Sequence, residues 1–454
     1  MKQHSILVFF LVMFCFLLSG CNKSDLLRDE KVGQQLHVTE QKNLKVVYYS
    51  ESSFMQYFGK SLTAKYPDIA INVISPPPFE ANRDMKQVWA SFLENQKPDI
   101  LTGFNDYYEH FVENEWLENL DPFIKQDRFD INNIHPGVIA ALRKRGNGKL
   151  YALSPTFSSR ALYYNKDLFN QYKIPYPKDQ MTWDEVLELA KQFRLANANS
   201  NGIYGLYIDS TNPYYLIDRI ASTNSLSLTD SKGENLLIDS DPWKKVWKSV
   251  SEGYKAGYIF SPTDKEFGDG NFKNNRFIMG TAAMTVDIPK SVLLNDEIRK
   301  QLYKLFNWDM VTEPVNPSLP EESNSFNVSS FFSVNAKSTN KKGAWEVVKY
   351  LNSDEFAQIY AKLIPPTSLL SRTAHIKTSD GRNWQAFFKL KPSTYSDMFR
   401  NTPKSFQEAY KKLLSDKANE AIKEDQNADD ILHSLQESGQ KLLTEANKEK
   451  KNNK

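Results

Sequence analysis

The 454-residue chain balances 57 basic against 55 acidic side chains, a net charge of +2, so no strong field marks nucleic acid or an anionic polymer as its partner. Its length suits two domains or one large bilobed body, and its two cysteines, Cys15 and Cys21, exclude a disulfide framework. The 28 Phe, 22 Tyr and 8 Trp fill cores, and Tyr and Trp also offer flat amphipathic faces on which sugar rings stack.

In chain order, Ile6 to Leu18 is apolar throughout, follows Lys2, and falls short of the about 20 apolar residues of a bilayer span, which predicts a secretion signal. A buried helix is the plainer alternative, but apolar residues around the whole circumference without caps argue against it. Leu18-Ser19-Gly20-Cys21 resembles the bacterial lipobox. That resemblance implies cleavage after Gly20 and a lipid, palmitate included, on Cys21, which would hold the protein on the cell membrane facing outside the cytoplasm. Residues 1–20 are then a lipoprotein signal peptide and 21–43 a polar lipidated tether.

Order is expected from Leu44. LKVVYYS reads as a buried strand, Phe54, Phe58, Leu62 and Tyr66 fall at helical spacing, and IAINVIS returns to a strand, a βαβ opening. Val88, Trp89, Phe92 and Leu93 suit a helix, PDILTGF a short strand, and YYEHFVENEWLENL a helix ending before Pro122. Two strand-like stretches flank Pro155. In TWDEVLELAKQF, Thr182 and Glu185 form a capping box. Strands are expected at IYGLYI, TAAMTV and SFFSV, and helices near 213–223, 241–256, over KKGAWEVVKYLNS, and over 427–445. The tail 446–454 reads as disordered. Trp89, Trp183 and Trp345 lie on apolar helical faces and read as core. The alternation of strands and helices is an α/β pattern.

GKLYALSPTFSSRALYYNKDLFNQYKIPYP followed by TWDEV resembles the central signature of the extracellular solute-binding protein family 1, the sugar-type receptors of ABC importers. PDI at 98–100, FIMGTAAM at 277–284 and AWEVVKYL at 344–351 follow in the family's order. The resemblance implies a two-lobed periplasmic-binding-protein-like fold (type II), with the ligand cleft between lobes joined by crossing strands. Carried onto this chain, lobe one is 44–152 plus 285–328, lobe two is 153–284 plus 329–445, and crossings fall near Ala152, Met284 and Phe331. It further implies a monomeric receptor without catalysis or cofactor. Its partners would be a small sugar, the permease subunits of an importer and the membrane through its lipid. Closure would follow from ligand bridging both lobes. No G-x-x-x-x-G-K-[ST] nucleotide loop occurs.

Ligands of α/β folds gather beyond strand carboxyl ends, which singles out the loops there. After the first strand come Ser50 and Ser52, the latter equally suited to cap a helix. After PDILTGF come Asp106 and Tyr107; relatives use a carboxylate here for sugar hydroxyls, while helix capping is the plainer reading of Asp106. Ser158 stands where maltose-binding relatives carry a ligand-contacting carboxylate, a departure from that pattern. Arg160 suits either an internal acid or an acidic ligand. Asn212-Pro213-Tyr214 resembles an acid-proline-tyrosine element of relatives, with Tyr214 placed to stack on a ring or to fill the core. Asp287 is a polar clamp or a turn residue, and Trp384 a stacking candidate.

Two alternatives remain from the residues alone. Paired tyrosines at 48–49, 107–108, 163–164 and 214–215 resemble ferric-binding relatives, a same-fold receptor for a metal or anionic ligand, although His4, His37, His110, His135, His375 and His433 show no ligand spacing. A secreted carbohydrate-active hydrolase would need two carboxylates facing across a cleft. The chain lacks His-Glu-x-x-His and Gly-x-Ser-x-Gly.

Overall fold

The computed structural model describes residues 43–452 except 79–83, 197–201, 269–273, 290–292, 294–296, 298–299, 302, 329, 365–368, 377–379, 394–396 and 424–425. The expected signal peptide, Cys21 and nearly all of the tether lie outside the described residues. The strands, in chain order, are β1 (Asn43–Val47), β2 (Ala70–Ile74), β3 (Ile100–Phe104), β4 (Thr156–Phe157), β5 (Ala161–Asn165), β6 (Tyr204–Tyr207), β7 (Ile259–Phe260), β8 (Ala282–Asp287), β9 (Trp308–Thr312), β10 (Glu322–Ser323), β11 (Ser330–Val334), β12 (Leu369–Leu370) and β13 (Lys391–Pro392).

Two sheets organise the molecule. The first has the order β11-β3-β1-β2, with β1 parallel to β2 and β3 and β11 antiparallel at its edge. The βαβ opening is therefore present. The second has the order β7-β6-β8-β5-β9, with β5 antiparallel to both β8 and β9. Strand β5 is buried at all five positions and sends alternate side chains to opposite faces: Ala161 and Tyr163 join one core, Leu162 and Tyr164 the other. Burial on both faces explains why ALYYN carries no polar alternation. The fold is α/β and two-lobed, as the alternating pattern and the resemblance implied.

Thr182 and Glu185 close the expected box. The Thr182 backbone N–H donates to Glu185 Oε2 at 2.7 Å, and the Glu185 N–H donates to Thr182 Oγ1 at 3.3 Å. Trp89, Trp183 and Trp345 are buried as expected.

Several boundaries differ from those expected. Strand β9 sits in the second sheet although residue range 285–328 was assigned to lobe one, and β11 with the helices Lys341–Leu351 and Asp354–Tyr360 packs into the first core although 329–445 was assigned to lobe two. The cause is that β8 does not lead out of its sheet at Met284. The chain leaves β8, returns as β9 on the far side of β5, and crosses only afterwards, so β11 is already in the first sheet at Phe331. The helix expected over residues 107–120 ends at Glu113. Glu115 adopts a left-handed φ of 57°, and the Trp116 N–H reaches back to the Phe111 carbonyl at 3.0 Å, a closing turn that needs no glycine. Finally, the last helix runs from Ala428 to Asn452, so residues 446–452, expected to be disordered, continue it.

Candidate ligand-binding site

The two sheets meet at their carboxyl edges. The first crossing runs from Leu153, bridged to Phe332 beside β11, to Arg160 at the start of β5. The return passes Ser325 and reaches β11 five residues later, at Ser330 (330 minus 325). Between them, Ser158 and Asn327 exchange backbone hydrogen bonds of 2.8 Å in each direction, and the Arg160 N–H donates to Ser325 Oγ at 2.8 Å. Strand β11 starts opposite the carboxyl end of β3, and β5 starts between the carboxyl ends of β8 and β9. Both crossings thus leave from carboxyl edges, and these edges face one another across a short span. In α/β sheets this is where ligands collect.

On the first sheet this edge carries Tyr48, Tyr49, Ser50 and Ser52. Ser50 caps the following helix, its Oγ accepting from the Ser53 N–H at 3.3 Å and lying 2.9 Å from Ser52 Oγ. The expected capping role therefore falls to Ser50 and not to Ser52. Tyr49 stands half exposed beside Tyr48, ring centroids 4.5 Å apart. Tyr107 turns inward and packs between Trp89 and Phe111 at 5.5 and 5.7 Å. The Asp106 side chain lies outside the described residues.

On the second sheet the edge is a charged cluster. Arg160 precedes β5, Asp287 ends β8 and Glu313 follows β9. Register pairs Ala161 with both Asp287 and Thr312, which brings the three side by side. Asp287 is buried, and its Oδ1 accepts from the Ile288 N–H at 2.8 Å. Glu313 is buried too; Oε1 accepts from Ser325 Oγ at 2.7 Å, from the Ser325 N–H at 3.3 Å and from Ser323 Oγ. Burial raises the Glu313 carboxyl above its ordinary value of 4.5, opposed by the serine hydroxyls and the Arg160 charge. From the helix Tyr214–Thr223, Arg219 donates to the Val286 carbonyl at 3.2 Å and to the Tyr215 hydroxyl, and lies 4.2 Å from the Tyr215 ring centroid. Burial and the neighbouring Arg160 charge pull the Arg219 guanidinium below its usual range, while burial and Asp397 push the Asp218 carboxyl up.

Glu313 gives a pH prediction with a definite sign. Its folded pKa is raised, so the folded state binds the extra proton and loses stability relative to the unfolded chain as pH rises from the ordinary value of 4.5 to the folded value. Glu313→Gln does not titrate and keeps an oxygen for the serines. The variant is expected to gain stability relative to the wild type between pH 4 and pH 7 in urea titrations. An equal wild-type-to-variant difference at both pH values would contradict this.

The other sequence candidates divide. Ser158 belongs to the crossing, its hydroxyl 3.4 Å from the Asn327 carbonyl. Asn212 accepts the Tyr214 N–H at 2.9 Å and donates to Ser415 Oγ, a structural turn. Tyr214 and its neighbour Tyr215 both pack, partly buried, against the second core, the Tyr214 hydroxyl 3.8 Å from Met398 Sδ and the Tyr215 ring under the Arg219 guanidinium. Trp384 is not at this edge. It is buried, its indole N–H donates to Asp380 at 2.9 Å, and it follows Asn383, which is bound to Asp309 near the start of β9, the end away from Glu313. The sequence reading missed Arg219, Tyr215 and Glu313. Tyr215 and Arg219 stand four apart on a predicted helix, a spacing that places them on one face and was the available signal. Among the described residues no group of three or more His, Cys, Asp or Glu side chains is placed to hold a metal ion.

With this geometry in view, likeness to known proteins becomes informative. A family model described as bacterial extracellular solute-binding protein matches residues 49–358. A binding protein of Brucella abortus (strain 2308) is 24% identical over 311 residues, 66% of this chain and 68% of the relative. The sn-glycerol-3-phosphate-binding periplasmic protein UgpB of the same organism is 32% identical over 135 residues, 29% of this chain and 30% of the relative. Among solved structures, a sugar transporter of Rhizobium etli in an open conformation matches with a TM-score of 0.61 and 21% identity, covering 88% of this chain and 99% of that one. The sugar-binding protein MalE of Xanthomonas citri matches with a TM-score of 0.60 and 14% identity over 89% and 98%. At these identities the two structures bear on the fold alone.

Proposed function

Because the chain belongs to the bacterial extracellular solute-binding protein family, we propose that it is a receptor that binds a carbohydrate, an oligosaccharide, between its lobes and hands it to the permease of an ABC importer. The observation that carries this reading is the meeting of two carboxyl edges across the Leu153–Arg160 and Ser325–Ser330 crossings. A ligand touching both edges has more contacts when they close, and that difference in affinity is what drives closure. Tyr49 offers an aromatic face on one side, and Arg160, Asp287 and Tyr215 offer polar and aromatic groups on the other. The sugar named in the Rhizobium and Xanthomonas relatives points the same way.

The receptor acts without chemistry, as a monomer tethered outside the cytoplasm by a lipid on Cys21. Among the described residues no helix is long and apolar enough to cross a membrane. Palmitate label is expected in the wild type and absent from Cys21→Ala.

Incubation with an oligosaccharide panel tests the function. One member is expected to raise the melting temperature, with about 2.7 kcal/mol of stabilisation at a hundred times its dissociation constant, and to be recovered intact. Recovery of cleaved sugar would replace the receptor by a hydrolase, and silence across the panel would remove the carbohydrate.

A further inference from the structure

We propose that His135 is a positioning residue that pins the hinge between the lobes: its neutral ring closes a stack with one phenylalanine from each crossing, and a proton on that ring releases the crossings. This rests on the receptor reading above and adds what steadies the swing of its lobes.

Each crossing carries one aromatic ring into the stack. Phe157 stands just before Ser158 and Phe326 just before Asn327, the pair that exchanges backbone hydrogen bonds, and the two rings lie 4.8 Å apart with planes 18° apart. His135 lies against both, 5.2 Å from Phe157 at 21° and 5.4 Å from Phe326 at 27°. Its polar atoms reach three further parts of the molecule. The backbone N–H donates to the Ser371 carbonyl at 2.7 Å, and the Ser371 N–H donates to Pro155 in the first crossing at 2.9 Å. Ring Nδ1 accepts from the Gly137 N–H at 3.1 Å and caps the helix Pro136–Arg145, whose Val138 and Leu142 sit in the first core. Ring Nε2 lies 2.9 Å from the Phe388 carbonyl, and that segment is fastened to β9 where the Asn383 N–H donates to Asp309 at 3.0 Å. One side chain thus joins a first-lobe helix, both crossings and a segment tied to the second sheet.

These bonds fix the proton count. A carbonyl answers only a donor and an amide N–H only an acceptor, so Nε2 carries the hydrogen, Nδ1 carries none, and the ring is neutral. A second proton would set Nδ1–H against the Gly137 N–H, two donors face to face, and one of them has to swing away from the stack. Among the described residues no acid lies within ion-pairing reach of the ring. On the elements around it, Asp130 pairs with Arg372 at 3.4 Å and Lys389 with Asp179 at 2.6 Å. Glu322 and Lys391 lie on β10 and β13, and Arg160 and Glu313 bond to Ser325. Only burial and the Phe388 carbonyl bear on the ring, and burial prevails, so it titrates below the ordinary 6.5.

Spin labels on cysteines replacing Lys86 and Lys191, exposed positions on helices of the first and second cores, read the interlobe distance by double electron–electron resonance in the mature Cys21→Ala chain. With native His135 and no sugar added, the distance distribution is expected to be roughly twofold wider at pH 4.5 than at pH 7.5. His135→Phe keeps a flat ring but takes no proton, and is expected to lose most of that change; what remains belongs to other groups, Glu313 among them. His135→Asn keeps an oxygen to cap the helix but lacks the ring, and is expected to be wide already at pH 7.5. Phe326→Leu, which opens the stack and spares the cap, is expected to be wide as well. Melting curves check that each variant is folded. Equal widths at both pH values with His135 in place, or a width unchanged in folded His135→Asn and Phe326→Leu, would overturn the pin and leave the receptor reading standing. Silence of the oligosaccharide panel would remove the receptor reading without altering these ligand-free distances.

Discussion

Trp345→Ala is expected to destabilise the protein by about 3–5 kcal/mol, the usual cost of emptying a fully buried tryptophan site. Trp345 lies on the helix Lys341–Leu351 and is 1% exposed. Its ring sits 5.7 Å from Phe123 and 5.9 Å from Phe129, so truncation opens a hole between aromatic walls that cannot collapse without moving two other elements. The indole also donates to Asp127 Oδ2 at 2.8 Å, and Lys349 Nζ stands 2.7 Å from the same oxygen. Burial works against that carboxylate, yet these two donors hold its pKa below the ordinary range. A depressed acid contributes stability above its unfolded pKa of about 3.9 and loses it as pH falls. Removing the indole should therefore also soften the acid limb of the stability profile. Urea midpoints at pH 7 and pH 4 measure both effects. A midpoint unmoved at pH 7 would show that the site collapses freely.

Gly205→Ala is expected to cost roughly 1–3 kcal/mol, at the upper end or beyond, for the opposite reason. Gly205 lies within β6, and a Cβ there would fall 2.1 Å from the Ala190 carbonyl oxygen and 2.6 Å from Ala190 Cα. The obstacle is the backbone of the helix Trp183–Ala196, anchored by buried Trp183, Val186, Ala190 and Phe193, and it yields only by lifting off the sheet. Glycine in a strand interior marks such a close approach. A thermal melt of the variant checks this. An unchanged melting temperature would mean that the helix slides at no cost.

The two substitutions also mark what the sequence made legible. Trp345 could be placed in the core because its apolar neighbours recur at helical spacing, and Thr182 with Glu185 fixed a helix start through local hydrogen bonds alone. Pattern and short-range chemistry suffice there. Gly205 shows the limit, since the helix that crowds it is distant in hydrogen bonding and declares nothing in IYGLYI. Strand β9 was overlooked because WDMVT is short and carries a charge, and it lies flat against β5 through pairings 143 (308 minus 165) to 151 (312 minus 161) residues apart. Missing β9 moved the lobe boundary. The helix Lys404–Lys423 was overlooked for its many charges, although Phe406, Tyr410, Leu414 and Ala418 are buried at a spacing of four.

The site followed the same division. Strand ends pointed to Ser50, which lies at the carboxyl edge of the first sheet, while Arg160, taken from the family signature, precedes β5 beside Asp287 at the end of β8. The sequence left Tyr214 open between ring stacking and the core, and its hydroxyl lies against Met398 Sδ while Arg219 sits over the next tyrosine, Tyr215. Glu313 was invisible because it follows the strand that was missed. Trp384 was assigned by loose likeness to relatives, but Asp380 and Asp309 hold its segment at the other end of β9.

Closure of two lobes over a sugar is the central claim, and small-angle X-ray scattering reads it directly. With a carbohydrate that calorimetry shows to be bound at saturation, the radius of gyration is expected to fall below that of the unliganded protein. An identical scattering curve with and without that bound sugar would contradict the account.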